Sequence, residues 1–298
     1  MTVRVGRQEL LYGAERLISP LDWANTRRTF EGVKLLVHGG DWKADAFYTH
    51  LVPVVPNELD RADYEQPVYG VYSSYSGFTH ETWDLFYIGY DNEHPGAIDS
   101  DFSLHTFGGR VFGSRNNWLY EAEGGVQVGR QSGLGVDHNA GYATVGLGRK
   151  YPKLAWQPTI WCYYDYASGN AGGGSFNRFN PLFPLGHKYF GFIDAVQRSN
   201  IESPNVLVTA KPGANLELLL WYWHFMANQS GDIVPSIGGT PNQSLSRTHL
   251  GDELDVTARY WFGPRSNILF GYSHFWRGDK ILAPQDADFF YTQWELNF

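Results

Sequence analysis

Polar and apolar residues alternate along most of this chain. In its closing stretch Phe290, Thr292, Trp294, Leu296 and Phe298 fall on one face, and Tyr291, Gln293, Glu295 and Asn297 on the other. A period of two is the signature of a half-buried β-strand. The same period predicts strands over roughly 2–10, 31–38, 41–53, 67–76, 80–91, 101–113, 118–130, 137–149, 154–168, 204–211, 214–227, 251–262, 266–277 and 288–298. None of these stretches carries the apolar stripe of an amphipathic helix. Several are longer than a soluble strand and approach the length that crosses a tilted bilayer. An aromatic end on an alternating strand fits an outer-membrane barrel, or an edge strand of a soluble sheet.

The connections decide between these. Tight turns are expected at Gly39-Gly40, Gly77–Thr79, Ser114–Asn117, Lys150–Lys153, Pro212-Gly213 and Gly263–Arg265, all rich in turn-forming residues. Between them lie longer connections, at Leu11–Phe30, Val54–Gln66, Asn92–Ser100, Gln131–Val136, Gly169–Pro204, Asn228–Leu250 and Gly278–Ala287. Strict alternation of short and long connections describes an all-β, transmembrane, antiparallel up-and-down barrel of about fourteen strands, with short periplasmic turns and long extracellular loops. We expect 1–298 to form one such domain in the bacterial outer membrane.

Composition agrees. Aromatic residues make up 16% of the 298, while only 43% are hydrophobic, a mixture that aromatic girdles around a polar bore explain. No run approaches the apolar length of a transmembrane helix. The net charge of −8 excludes a nucleic-acid partner of the usual basic kind. Met1 is followed at once by the strand-like Thr2–Arg7, so we expect the true N-terminus, with a signal peptide, to lie upstream.

Parity assigns the faces. Val33, Leu35, Val37, Trp42, Ala44, Ala46 and Tyr48 point to lipid, against inward Lys34, His38, Lys43, Asp45 and Thr49. Glu121, Glu123 and Gln127 point inward, as do Arg110, Asp165, Glu253, Asp255, Thr257 and Arg259. Each charge would cost a few kcal/mol against lipid near the midplane. The single cysteine, Cys162, falls on the lipid face.

Four stretches resemble the alginate-export family of outer-membrane porins. They are G-R-Q-E-L-L-Y-G-A-E-R-L-I-S-P-L-D-W-A-N-T-R-R-T-F-E-G-V-K-L from Gly6 to Leu35, Y-D-Y-A-S-G-N from Tyr164, and F-N-P-L-F-P-L-G-H-K-Y-F-G-F-I-D from Phe179. The last is E-L-D-V-T-A-R-Y from Glu253, continuing through G-Y-S-H-F-W-R-G-D to A-D-F-F-Y-T-Q-W. The resemblance implies an eighteen-stranded barrel through which an anionic uronate polysaccharide, or a related sugar acid, passes by a basic lumen. By that measure some four N-terminal strands would be missing here. We expect such a fragment either to gape between strands near Val5 and Trp294 or to close into a narrower barrel. The alginate exporter also has a long gating turn on the periplasmic side, which no short connection here matches. A general porin, or one for another substrate, stays open beside the uronate channel.

A passive channel needs charged rings rather than catalytic residues. For a carboxylate polymer Arg suits best, because its planar fork pairs a carboxylate in two bonds. The candidate contacts are Lys34, Lys43, Arg110 and Arg259 by parity, with Arg7 and Arg28 from the family-like motif. Arg16 and Arg27 share the same long loop. The alternative is bracing, in which lumen acids pair with these bases across neighbouring strands. Gly169–Pro204 carries Phe176, Phe179, Phe183, Tyr189 and Phe190, and is expected to fold over the mouth or to pack on its neighbours. No catalytic group, cofactor or metal is expected: the ten His show no zinc spacing and no nucleophile elbow occurs. A rim enzyme or adhesive barrel is the reading from another class. The expected partners are outer-membrane lipid, an anionic oligo- or polysaccharide, and the barrel-assembly machinery through Phe298.

Overall fold

A computed structural model describes residues 1–94, 101–237 and 239–298. Its strands are β1 Thr2–Gln8, β2 Thr29–Gly39, β3 Trp42–Val52, β4 Pro67–Tyr75, β5 Glu81–Glu93, β6 Asp101–Arg115, β7 Trp118–Gln131 and β8 Val136–Lys150. They continue as β9 Thr159–Ala167, β10 Ser175–Phe176, β11 Ile201–Gly213, β12 Leu216–Ala227, β13 His249–Gly263, β14 Ser266–Arg277 and β15 Ala287–Leu296. One helical turn, α1, spans Gly186–Tyr189. The strands pair in sequence order, except that the two-residue β10 lies parallel to β8 off the main path. No helix among the described residues is long and apolar enough to cross a membrane.

The expected strands are present, with corrected ends. Strand β9 begins at Thr159, because 151–158 winds into a turn held by Tyr151 N–H donating to the Pro158 carbonyl at 2.9 Å. Trp156 and Gln157 sit at positive φ inside it. The long-side connection 132–135 is therefore shorter than the short-side connection 151–158, so the expected strict alternation fails here.

Residues divide into two compact units: 1–112, 123–143 and 170–185 in the first, and 113–122, 144–169 and 186–298 in the second. Both are inverted relative to a soluble protein. In the first, Val3, Val5, Val33, Val37, Trp42, Tyr48, Val71, Leu85 and Phe107 are exposed, while Lys34, Thr49, Asp84 and Glu123 are buried. In the second, Val145, Leu147, Val206, Leu220, Val256, Phe270 and Trp294 are exposed, over buried Thr144, Asp165, Asn205, Glu253 and Asp255. Water would penalise that outer surface by roughly 25 cal/mol per Å² of apolar area. Hydrocarbon does not, so the solvent this face fits is lipid.

Aromatic pairs mark two levels on the first unit's outer face. Trp42 and Tyr75 pack at 4.7 Å on the short-turn side, and Tyr48 and Tyr69 at 5.9 Å on the loop side. Trp42 and Tyr48 are six residues apart on β3, roughly 20 Å along the strand at about 3.3 Å per residue. At a tilt of about 40° this is about 15 Å of height, inside a barrel's apolar band of about 25 Å. Cys162 is exposed on the outer face, where parity puts it.

Candidate functional site

In the first unit the inward side chains form a continuous charged network. Lys34 Nζ lies 3.4 Å from Asp45 and 5.4 Å from the centre of the Tyr12 ring. Tyr12 comes from the connection 9–28, which dips against the sheet, and its ring stacks between Phe47 at 5.3 Å and Tyr72 at 4.9 Å. Tyr72 and Ser74 donate to Asp84 at 2.9 and 2.6 Å. Arg110 approaches Asp84 at 3.6 Å and Glu123 at 3.7 Å, and its guanidinium caps the Phe112 ring at 3.8 Å. Arg16, from the same inserted connection, closes the network with a 2.9 Å pair to Glu123, which also accepts from Tyr142 at 2.9 Å. Buried charges persist only when they are compensated. Lys34 and Arg110 are ion-paired, and Arg16 and Glu123 are both paired and hydrogen-bonded.

The second unit has two inward clusters under the connection 186–200. Arg198 is buried, donates to Asp165 at 3.0 Å and Thr144 at 2.8 Å, and lies 4.7 Å over the Phe190 ring. Asn205 donates to the other Asp165 oxygen at 3.0 Å and accepts from the Trp221 indole at 2.8 Å. Glu253 and Asp255 are capped by backbone: Ile193 N–H donates to Glu253 at 2.9 Å and Phe192 N–H to Asp255 at 3.0 Å. This close approach needs Gly191, at φ +83°, where an added Cβ would fall 2.3 Å from the Glu253 carboxyl.

Nearer the short turns the second unit opens a cleft of about 410 Å³, lined by Phe192, Lys211, Glu217, Thr257, Arg259 and Tyr291 among others. Arg259 donates to Asn267 at 2.6 Å and lies 3.6 Å from Glu295. Its side chain is still 29% exposed, against 13% for Arg110 and 8% for Lys34. Phe192 and Tyr291 meet edge-to-face at 6.3 Å beside it. Lys211 spends its charge on Glu217 at 2.8 Å.

The candidates named from sequence thus fall into different situations. Lys34 and Arg110 face inward as expected and are neutralised there. Lys43 sits on the inward parity at the short-turn end of β3 and is exposed. Arg7 departs from expectation: it shares the parity of outward Val3 and Val5, pairs with Glu31 at 3.2 Å, and donates to the Asp60 carbonyl at 2.9 Å. Arg28 also departs. Its guanidinium is filled by the carbonyls of Ser19, Phe183 and Pro184 and lies under the Phe183 ring, strapping 179–185 to its own unit. Burial there lowers its pKa to about 10. Sequence reasoning missed Arg198, whose only signal is a base three residues before β11, the strand that pairs with the one carrying Asp165. It also missed Lys280, fully buried and donating to the Ser230 and Ser244 carbonyls at 2.9 Å each.

The alginate-export family model matches residues 1–292 of the sequence. The chain belongs to that family. Its fold is similar to the outer membrane protein OprD from Pseudomonas aeruginosa, with TM-score 0.60 and 10% identity over 98% of this chain and 74% of that one. It is similar too to P. aeruginosa OccK8 (OprE), with TM-score 0.58 and 14% identity over 98% and 77%. No curated protein sequence matches. This alginate-export family member is accordingly an outer-membrane β-barrel channel, whose exposed apolar face meets bacterial outer-membrane lipid. Family and fold point to transport rather than catalysis.

Proposed function

We propose that this channel passes an anionic polysaccharide or its uronate oligomers by passive diffusion, with Arg259 as the principal contact. The observation that carries this is the cleft of the second unit. There a partly exposed guanidinium stands beside two aromatic rings, Phe192 and Tyr291. A planar fork can accept a carboxylate in two bonds, and rings can lie against the apolar face of a sugar. Asn267 holds the fork in place, which limits the entropy lost on binding. Exposed Lys43 is a secondary contact on the first unit's inward parity. We further propose that Phe298, fully exposed beyond the end of β15, is read by the barrel-assembly machinery.

A second reading, a porin for other solutes, is favoured by one specific observation. Lys34, Arg110, Arg16 and Arg198 are all matched by inward acids, as wall-bracing charges would be. Planar-bilayer recordings separate the two. Anion-selective reversal potentials with concentration-dependent block by uronate oligomers support the first. Cation preference without such block would sink it.

A further inference from the structure

On the outer face of the second unit, away from the cleft, the same constellation occurs twice. Strand β12 carries Tyr222 and His224 two residues apart, and Asp252 of β13 lies directly opposite His224. Tyr222 donates to Asp252 Oδ1 at 2.6 Å, and His224 Nδ1 meets the same oxygen at 2.8 Å. On β14, Tyr272 and His274 repeat the spacing against Asp288 of β15, at 2.6 and 2.7 Å. Alone, such a trio is an interfacial girdle that satisfies its carboxylate.

The first copy has something the second lacks. His249 Nε2 lies 3.1 Å from Asp252 Oδ2, and its ring stacks on His224 at 4.9 Å with an interplanar angle of 26°. By simple alternation residues 249 and 252 would point to opposite faces of β13. They share a face because the register shifts here: Gly251 pairs with Phe225 and His249 with Met226, leaving Leu250 unpaired. Gly251 makes the bulge possible. It sits at φ +151°, and a Cβ there would meet the Trp276 carbonyl at 2.4 Å. A bulge of this kind re-aims one side chain and adds an extra residue to one strand. Here it brings a second imidazole onto an existing His–Asp pair.

We propose that His224, His249 and Asp252 form a binding site for a divalent transition-metal ion of the zinc class. One ligand atom from each of the three lies within 4.8 Å of the others. Two imidazoles and a carboxylate suit zinc or a similar late first-row ion, whereas calcium and magnesium prefer all-oxygen sites. Tyr222, bonded to Asp252, orients the carboxylate as the outer partner of a metal ligand does. Solvent supplies the remaining position, because the side chains of His224 and His249 are 35% and 41% exposed. Bound metal would cross-link β12, where the connection 228–248 leaves, to β13, where it returns.

The test uses the full chain in detergent micelles and zinc chloride as probe, followed by equilibrium dialysis and zinc-edge X-ray absorption at one equivalent. Saturable binding near one zinc per chain is expected, with two imidazoles in the absorption spectrum. His249→Ala should weaken binding at least tenfold, and His274→Ala, in the copy without a third ligand, should leave it unchanged. Lack of saturable binding by the wild type, an all-oxygen shell, or equal loss in both variants would overturn the proposal. The absorption spectrum needs no variant, so a misfolded His249→Ala protein would not rescue it.

Discussion

The two inward charged regions have similar residues and opposite availability. In the first unit Lys34, Arg110 and Arg16 are tied to Asp45, Asp84 and Glu123 and closed off by the inserted connection 9–28. In the second, Arg259 has a comparable fork and a nearby acid, yet opens onto a cleft. The inserted connections make the difference. Tyr12 and Arg16 fill the space in front of Lys34 and Arg110, whereas the chain at 191–193 caps Glu253 and Asp255 and leaves Arg259 uncovered. An inward base is thus a candidate contact only where no loop has already claimed it.

The largest effect that would break this comparison is on stability. Glu123→Ala should leave Arg16 and Arg110 short of a buried partner and cost about 3–5 kcal/mol. Urea unfolding in lipid vesicles measures it, and a change below about 1 kcal/mol would mean that the network is not bracing the wall. Next comes Gly191→Ala, which forces a side chain into the Glu253 carboxyl at an unfavourable φ. The expected loss is about 1–3 kcal/mol. Channel conductance should change as 186–200 lifts from the sheet, and an unaltered conductance and unfolding midpoint would show that the cap is incidental.

The smallest effect lies in the first unit's connections, at His94. Its ring bridges Asp63 and Glu65, each at 2.7 Å. The hydrogen bond to Asp63 leads in raising the His94 pKa. Partial burial pushes Asp63 up, but the bonds from His94, Gln66 and the Glu65 backbone outweigh it, so its pKa is lowered. The His94 contribution is therefore complete below the ordinary histidine pKa and lost as pH rises through the raised one. The Asp63 contribution is complete above the ordinary carboxylate pKa and lost as pH falls through the depressed one. The clasp is strongest in mildly acidic solution. An NMR titration should place His94 above about 6.5, and His94→Ala should move Asp63 upward. A His94 midpoint at or below 6.5 would contradict the clasp.

Much of this was legible in the alternation. Strand β14 runs over 266–277 as its period predicts, and the facing of Lys34, Asp45, Arg110, Glu123, Glu253 and Arg259 follows from parity. Lipid compels that legibility, since one slip would turn every charge outward. What stayed hidden depends on tertiary placement. Arg28 lies one residue before β2, and only the return of Phe183 and Pro184 shows that its fork is filled. Arg7 needed the pairing of β1 with β2 to show that it stands opposite Glu31. His249 shows no ligand spacing in the sequence because its companions come from a neighbouring strand and from across a bulge, where linear spacing has no meaning.

The most direct test of the central contrast is block by uronate oligomers in single-channel recordings of the wild type, Arg259→Gln and Lys34→Gln. An accessible charge-assisted contact is worth about 1.5–3 kcal/mol, so losing Arg259 should weaken block about tenfold or more. Losing Lys34, which Asp45 already engages, should change it less than about twofold, well under 1.4 kcal/mol. Equal weakening by both substitutions, or none with Arg259→Gln, would contradict the account.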